Sequence, residues 1–455
     1  MAHPPTPPSK AIGGSRDGAL GSTNSGSLST SDPEVLHGDD VSPLEVYNFD
    51  VTKYKDGSFK LVTAVDPLVY LSGRFLRHDE HAARKTKVNS VQFDWPHCGF
   101  SIRVKHTRSV GIRLKGEGNY FNVFVDGVFK CILRASLKAS CCDVATFGDD
   151  AFDSDDEHTV TVSKRTEPQM RGAVSTFKVC TFYGFVVEKA AVVLPFDPGF
   201  RHRIEFIGDS DTCGFGNEGV TSSSKGIFGM KGRMENVYNG YACITARMFH
   251  AESHILAWSG KGVKSNLGDW GPNMSSMWKK TIASREFAWD LDSWQPHAVV
   301  INLGTQDLFP PASSEAEIVE AYTALLEDVR HHRPEAHIFC VVCDENCMSG
   351  EDDDVNRSRI SLQLQEITKV AMSRVKKMDL RMHYAFIKIP GGLAPSDFAN
   401  MKHYAVSGHV KFAQALAKEI AFRTEWDVTD DPVTIPYPQP KHQILVPSDK
   451  QCSIS

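Results

Sequence analysis

The sequence predicts an α/β fold, a parallel sheet sandwiched by helices and preceded by an N-terminal β-sandwich, with an irregular tail at each end. Beyond Phe200, short apolar runs alternate with stretches of helical periodicity. Between Val46 and Val193 the runs are instead rich in Val, Phe, Ile and Thr and are separated by Gly and Asp turns. The two flanks are dominated by Pro and small polar residues, with too few large apolar side chains to offset the entropy of ordering. These shifts divide the chain into a disordered tail over residues 1–43, a β-sandwich domain over 44–195, an α/β domain over 196–424 and a Pro-rich tail over 425–455.

Each element has a local reason. In Phe100-Ser-Ile-Arg-Val-Lys105 alternation of period two puts one face inward, as a sandwich strand requires. Tyr120-Phe-Asn-Val-Phe-Val-Asp-Gly127 ends in Asp-Gly, whose easy access to positive φ closes a tight antiparallel hairpin. The acidic stretch Asp149 to Glu157 lacks the glycine and ligand spacing of a calcium loop and reads as a solvated connection. Parallel strands are expected at Ile204–Ile207, Ile255–Trp258, Val299–Leu303, Ile338–Val342 and Tyr384–Ile387. Helices are expected around Glu235–Phe249, Ser314–His331, Ser358–Val375 and Gly408–Arg423, the last opened by Gly408. After Thr424, five prolines from Pro432 to Pro447 oppose regular structure, so the tail is expected to drape over the surface or stay mobile.

Bulk properties exclude several function classes. With 455 residues, 41% of them hydrophobic, the chain can bury a sizeable core. A formal net charge of −6 gives no basic footprint, which argues against nucleic acid and anionic membranes as partners. No run approaches the roughly 18 apolar residues a membrane helix needs, and the N-terminus lacks the basic-then-apolar pattern of a signal peptide. A cytoplasmic protein is the expectation, with unconventional secretion as the alternative. The eleven cysteines are scattered through apolar runs and read as reduced thiols. Cys340-Val-Val-Cys343 with Cys347 resembles half a zinc site without a second pair, so no metal is expected.

The chemistry-bearing residues sit at predicted strand ends, where an open parallel sheet places its ligands. Directly after Ile204-Glu-Phe-Ile207 comes Gly208-Asp-Ser-Asp-Thr-Cys-Gly-Phe-Gly-Asn217, a small-residue turn carrying Ser210. A serine hydroxyl needs an adjacent base, and His403, in His403-Tyr-Ala-Val-Ser-Gly-His409, is the candidate near the end of the folded region. Trp258-Ser-Gly-Lys-Gly262 offers a glycine turn whose N–H groups can converge on one spot, and Gly304-Thr-Gln-Asp307 offers a side-chain amide.

In this order the four segments resemble the SGNH, or GDSL-like, hydrolases, which place a GDS serine, a glycine, an asparagine and a C-terminal histidine. Leu256-Ala-Trp-Ser-Gly-Lys-Gly-Val263, Asp292-Ser-Trp-Gln-Pro-His-Ala-Val-Val-Ile-Asn-Leu-Gly-Thr305 and Gly118-Asn-Tyr-Phe-Asn-Val123 narrow the resemblance to carbohydrate esterase family 2, the acetyl-xylan and glucomannan deacetylases. It covers roughly Leu71 to Phe422. It implies a jelly-roll front domain, a flavodoxin-like SGNH sheet and no cofactor. It further implies Ser210 as nucleophile and His403 as general base, then acid. The oxyanion hole is implied to consist of the N–H groups of Ser210 and Gly260 with the amide at position 306. An acetylated saccharide is the implied substrate.

The chain departs from that pattern in three places. Gln306 stands where the family has asparagine, which moves the third donor by one methylene. Asn400 stands three residues before His403, where many SGNH enzymes have aspartate, so the resemblance implies a Ser-His dyad with a backbone carbonyl orienting the imidazole; Asp397 is the alternative orienter. Asp211 sets a carboxylate close to where negative charge develops. Asp209, Asp307, Trp270 and Trp278 complete the candidates for substrate contact, the tryptophans as flat apolar surfaces for sugar rings. The expected function is acetyl-ester hydrolysis on carbohydrate. The rivals are a sugar-binding protein that has lost turnover and a lysophospholipase or general acyl esterase, the latter disfavoured by the polar loop from Val263 to Trp278.

Overall fold

The computed structural model describes residues 54, 56–77, 89–116, 118–168, 170–171, 176–177, 179–219, 232–268, 271–309, 313–343, 354–399, 403–435 and 444–445. The tail predicted over residues 1–43 therefore lies outside the described residues. The front half consists of two antiparallel sheets. One runs Leu76–Arg77, Val91–Phe93, Cys180–Glu188, Ser109–Lys115, Ser140–Thr146, with Phe59–Thr63 also on Cys180–Glu188. The other runs Val192–Leu194, Gly99–Lys105, His158–Lys164, Tyr120–Val125, Val128–Arg134, with Tyr70–Ser72 on Gly99–Lys105. Inward-facing aromatics join them: Phe100 of one sheet stacks on Phe182 of the other at 3.8 Å between ring centres, with Phe93, Phe121 and Phe185 around the pair.

The Asp-Gly hairpin forms as expected. Asp126 and Gly127 both take positive φ, at 51° and 76°, and Val125 pairs directly with Val128. That is the two-residue turn whose twist matches the flanking strands. The acidic stretch holds a short 3-10 turn at Asp150–Phe152, and Asp155 pairs with Lys105 at 2.8 Å on the surface.

The second half is a parallel sheet of β1 (His202–Gly208), β2 (Ala251–Ala257), β3 (Ala298–Asn302), β4 (His337–Cys343) and β5 (Met382–Ile387) in the spatial order β2-β1-β3-β4-β5. That order is the flavodoxin-like one, and it puts the topological switch point between β1 and β3. Besides the single turn Met274–Met277, the described helices are α1 (Ser210–Cys213), α2 (Tyr241–Met248), α3 (Glu315–His332), α4 (Asp354–Lys376) and α5 (Val406–Thr424). Ser314 and Glu317 cap α3 reciprocally, satisfying donors at the helix start.

Alternate strand residues divide between two cores. Phe206 and Val300 pack with Tyr241, Ile244, Phe412 and Leu416 of α2 and α5. Ile207, Val299 and Ile301 face α3 and belong to one continuous apolar cluster with the interior of the β-sandwich. The described residues accordingly belong to a single compact unit.

Buried polar contacts tie the halves together. Arg74, from the front half, donates to Glu205 of β1 at 2.9 Å, and Arg333, just past α3, donates to the same carboxylate at 3.1 and 3.2 Å. All three side chains are shielded from solvent. Asp94 of the front half accepts the N–H groups of Ala283 and Ser284.

Two local expectations need correction. Helix α5 opens at Val406 with Ala405 as its cap, so Gly408 lies inside the first turn. A Cβ there would come within 2.4 Å of the Asp397 carbonyl oxygen, which makes close approach the reason for this glycine. The C-terminal tail is not without regular structure. Trp426 stacks on His202 at 3.9 Å, Ile435 exchanges two hydrogen bonds with the Asn239 side chain, and Ile444–Leu445 adds a parallel strand to Val128–Arg134. Prolines interrupt the tail, but an apolar dipeptide between them satisfies an open sheet edge. Among the described residues, no helix is long and apolar enough to cross a membrane.

Candidate active site

Strand β1 delivers the turn that carries Ser210. Asp209 is the N-cap of α1, accepting the Asp211 N–H at 3.4 Å, and Ser210 is the first helical residue, 4% exposed. The turn closes with Gly214 in the left-handed region and with the Phe215 N–H donating to the Ser210 carbonyl at 3.0 Å.

His403 reaches this turn from the opposite end of the chain. Its ring lies 5.0 Å from that of Phe215, between ring centres, and the residue is 3% exposed. Backbone pairing of Phe398 with Tyr404 and an Ala399 N–H donating to the His403 carbonyl at 2.7 Å hold the loop. The nearby His409 is a structural partner: burial first, and the His403 charge second, push it down to about 3, and its Nδ1 accepts the Tyr241 N–H. The Asp397 carboxylate is engaged elsewhere, accepting from Lys411 Nζ at 2.6 Å and from the Ala394 N–H at 2.8 Å. Asn400 lies outside the described residues.

The oxyanion candidates come from the ends of β2 and β3, on either side of β1. Gly260 has φ of 76°, a conformation open to glycine, and its carbonyl accepts the Leu267 N–H at 2.8 Å. Gln306 is fully enclosed; its Nε2 donates to Asp209 Oδ2 at 3.4 Å, while its Oε1 meets no hydrogen-bond partner among the described residues. The structure thus brings Ser210, His403, Asp209, Gln306 and the Gly260 turn to one end of the sheet at its switch point.

Other candidates for substrate contact serve elsewhere. Trp278 is wholly buried in the core, with its indole N–H on Asp328 at 3.2 Å, so it has no face to offer a sugar. Asp307 accepts the N–H groups of Val263, Lys264 and Ser265 at 2.7 to 2.8 Å, which makes it a clamp on the loop after Gly262. Trp270 lies outside the described residues. Cys340 and Cys343 are buried side chains in β4, and no group of three or more His, Cys, Asp or Glu side chains suited to a metal occurs among the described residues.

The electrostatics are set by Asp209. Burial first, and the Asp211 charge second, push its carboxyl from 3.8 up to about 8. The same two causes favour the neutral acid, which lowers the negative charge beside Ser210. Between about pH 4 and 8 the folded chain holds a proton that the unfolded chain has released, so the associated stability is lost as pH rises through about 8. Asp209→Asn keeps the cap acceptor and removes the titration. Urea midpoints measured against pH should show wild type falling relative to this variant across that window, and parallel curves would refute the assignment.

The neighbourhood also contains residues the sequence did not single out. Glu167, from the β-sandwich half, accepts the Ser259 N–H at 2.6 Å. Arg165 bonds Glu218, whose other oxygen accepts from Asn236 and Asn239, bracing the loop beyond Gly216. No local motif marks these residues, because their partners lie 18 to 92 positions away in sequence.

Residues 206–403 match the GDSL-like lipase/acylhydrolase family, and residues 83–196 match the carbohydrate esterase 2 N-terminal domain. The chain is 32% identical over 319 residues to the cellulase/esterase CelE of Acetivibrio thermocellus, an alignment spanning 70% of this chain and 36% of that relative. It is 24% identical over 285 residues to an acetylxylan esterase / glucomannan deacetylase of Cellvibrio japonicus, covering 61% of this chain and 72% of the relative. A solved family two carbohydrate esterase from Clostridium thermocellum, in complex with cellohexaose, superposes with a TM-score of 0.64 at 27% identity, covering 79% of this chain and 99% of that one. A family two esterase from Cellvibrio japonicus shares the fold, with a TM-score of 0.65 at 19% identity over 81% of this chain and 99% of that one. The Ser210 turn, the Gly260 turn and His403 all lie within the matched segments, and the chain carries a GDSL-like lipase/acylhydrolase domain behind a carbohydrate esterase 2 N-terminal domain, as its family two relatives do.

Proposed function

We propose that this protein hydrolyses acetyl esters on carbohydrate. Ser210 Oγ attacks the acetyl carbonyl while His403 takes its proton; the proton then passes to the departing sugar oxygen, and water releases acetate from the acyl-enzyme. The oxyanion is held by the N–H groups of Ser210 and Gly260 and by the Gln306 amide. The observation that carries this reading is the convergence of Ser210, the Gly260 turn, Gln306 and His403 at the switch point of a β2-β1-β3 sheet. The cellulase/esterase and acetylxylan esterase / glucomannan deacetylase activities of the relatives agree with it.

The test is acetate release from acetylated xylan and glucomannan, alongside p-nitrophenyl acetate and longer p-nitrophenyl esters. Acetate release with a steep fall for longer acyl chains is expected; preference for long chains would favour the acyl-esterase rival. A second reading, sugar binding without turnover, draws on the Gln306 amide being engaged by Asp209 at 3.4 Å. Gln306→Ala separates the two. If the amide serves the transition state, kcat should fall by roughly 100-fold with KM little changed.

A further inference from the structure

We propose that Glu167, contributed by the β-sandwich half, is a positioning residue that sets the oxyanion turn against the nucleophile helix. The inference rests on the esterase reading above and deepens it, because it gives the front domain a role in the chemistry. Glu167 Oε2 accepts the Ser259 N–H at 2.6 Å and the Cys213 thiol at 3.4 Å. Ser259 immediately precedes Gly260, and Cys213 is the last residue of α1, whose first is Ser210. Cys213 Sγ also lies 3.4 Å from the Ser210 carbonyl and 3.5 Å from Ser259 Oγ. One carboxylate oxygen therefore bridges the two turns that must converge on a single substrate oxygen.

The bridge is itself anchored. Lys164 Nζ donates to the Glu167 carbonyl at 3.0 Å, and the Glu167 N–H donates to Glu235 at 3.1 Å. Burial raises the Glu167 pKa, while the hydrogen bonds from Ser259 and Cys213 oppose the rise. A rigid support matters because Gly260, at a φ of 76°, lies in a turn that glycine leaves free to adopt other conformations. A donor misplaced by about 1 Å costs on the order of 100-fold in rate, even when the mutation lies away from the reacting atoms.

The side chain's reach is then decisive, more than its charge, and two variants of the full chain separate them. Glu167→Asp keeps the charge and withdraws the acceptor by one methylene; Glu167→Gln keeps the reach and removes the charge. With p-nitrophenyl acetate, Glu167→Asp should lower kcat on the order of 100-fold with KM nearly unchanged, and Glu167→Gln should stay within about tenfold of wild type. Circular dichroism of both variants confirms that the comparison is between folded proteins. An Asp variant as fast as wild type, a Gln variant as slow as Asp, or a loss that follows only the unfolded fraction would overturn the proposal. If wild type shows no Ser210-dependent turnover, the esterase reading fails first and this inference falls with it, an outcome seen before any Glu167 variant is compared.

Discussion

Ser210→Ala is expected to lower turnover of p-nitrophenyl acetate by at least about 10,000-fold, with a loss of similar size in His403→Ala and little further loss in the double variant. In the proposed mechanism the two side chains act as one unit: the serine is a poor nucleophile without a base, and the histidine has no proton to move without the serine. Non-additivity is therefore the diagnostic feature. Burial sharpens the expectation, because both residues are nearly enclosed and bulk water cannot replace either. Independent, additive losses, or a Ser210→Ala variant within about tenfold of wild type, would rule out the nucleophile assignment.

Glu205→Gln should destabilise the chain by about 3–5 kcal/mol, read as a fall in the urea midpoint with unchanged slope. Among the described residues, Glu205 is the carboxylate that pairs with two buried guanidinium groups, Arg74 and Arg333. Desolvation already lowers Arg74 to about 10, and Glu205 opposes that shift. The neutral amide leaves two cations in the interior without a counter-charge. Because Arg74 comes from the β-sandwich and Glu205 from β1, the loss should appear in both halves together, as one transition. Early melting of one half alone would contradict the continuous core.

Apart from the boundaries of individual elements, the architecture was legible because it rests on local repetition. Period-two runs, the Asp126-Gly127 turn and the alternation of apolar strands with amphipathic helices are each encoded within about ten residues. The positions of the Ser210 and Gly260 turns were legible for a related reason: each follows a strand whose apolar run announces it. Where the reading failed, the local pattern was ambiguous. Trp278 sits in a polar loop by sequence but turns its ring into the core, and Gly408 looks like a helix opener although contact with the Asp397 carbonyl is what demands it.

By itself the sequence determined a two-part α/β chain with a serine, a glycine turn, an amide and a histidine at successive strand ends. Those features depend on neighbours along the chain. The tertiary structure alone decided that Asp397 binds Lys411, that burial and Asp211 raise the pKa of Asp209 beside Gln306, and that Glu167 reaches from the front half to the turn before Gly260. The physical reason is common to all three: protonation and hydrogen-bond partnership depend on burial and on groups brought together from distant segments.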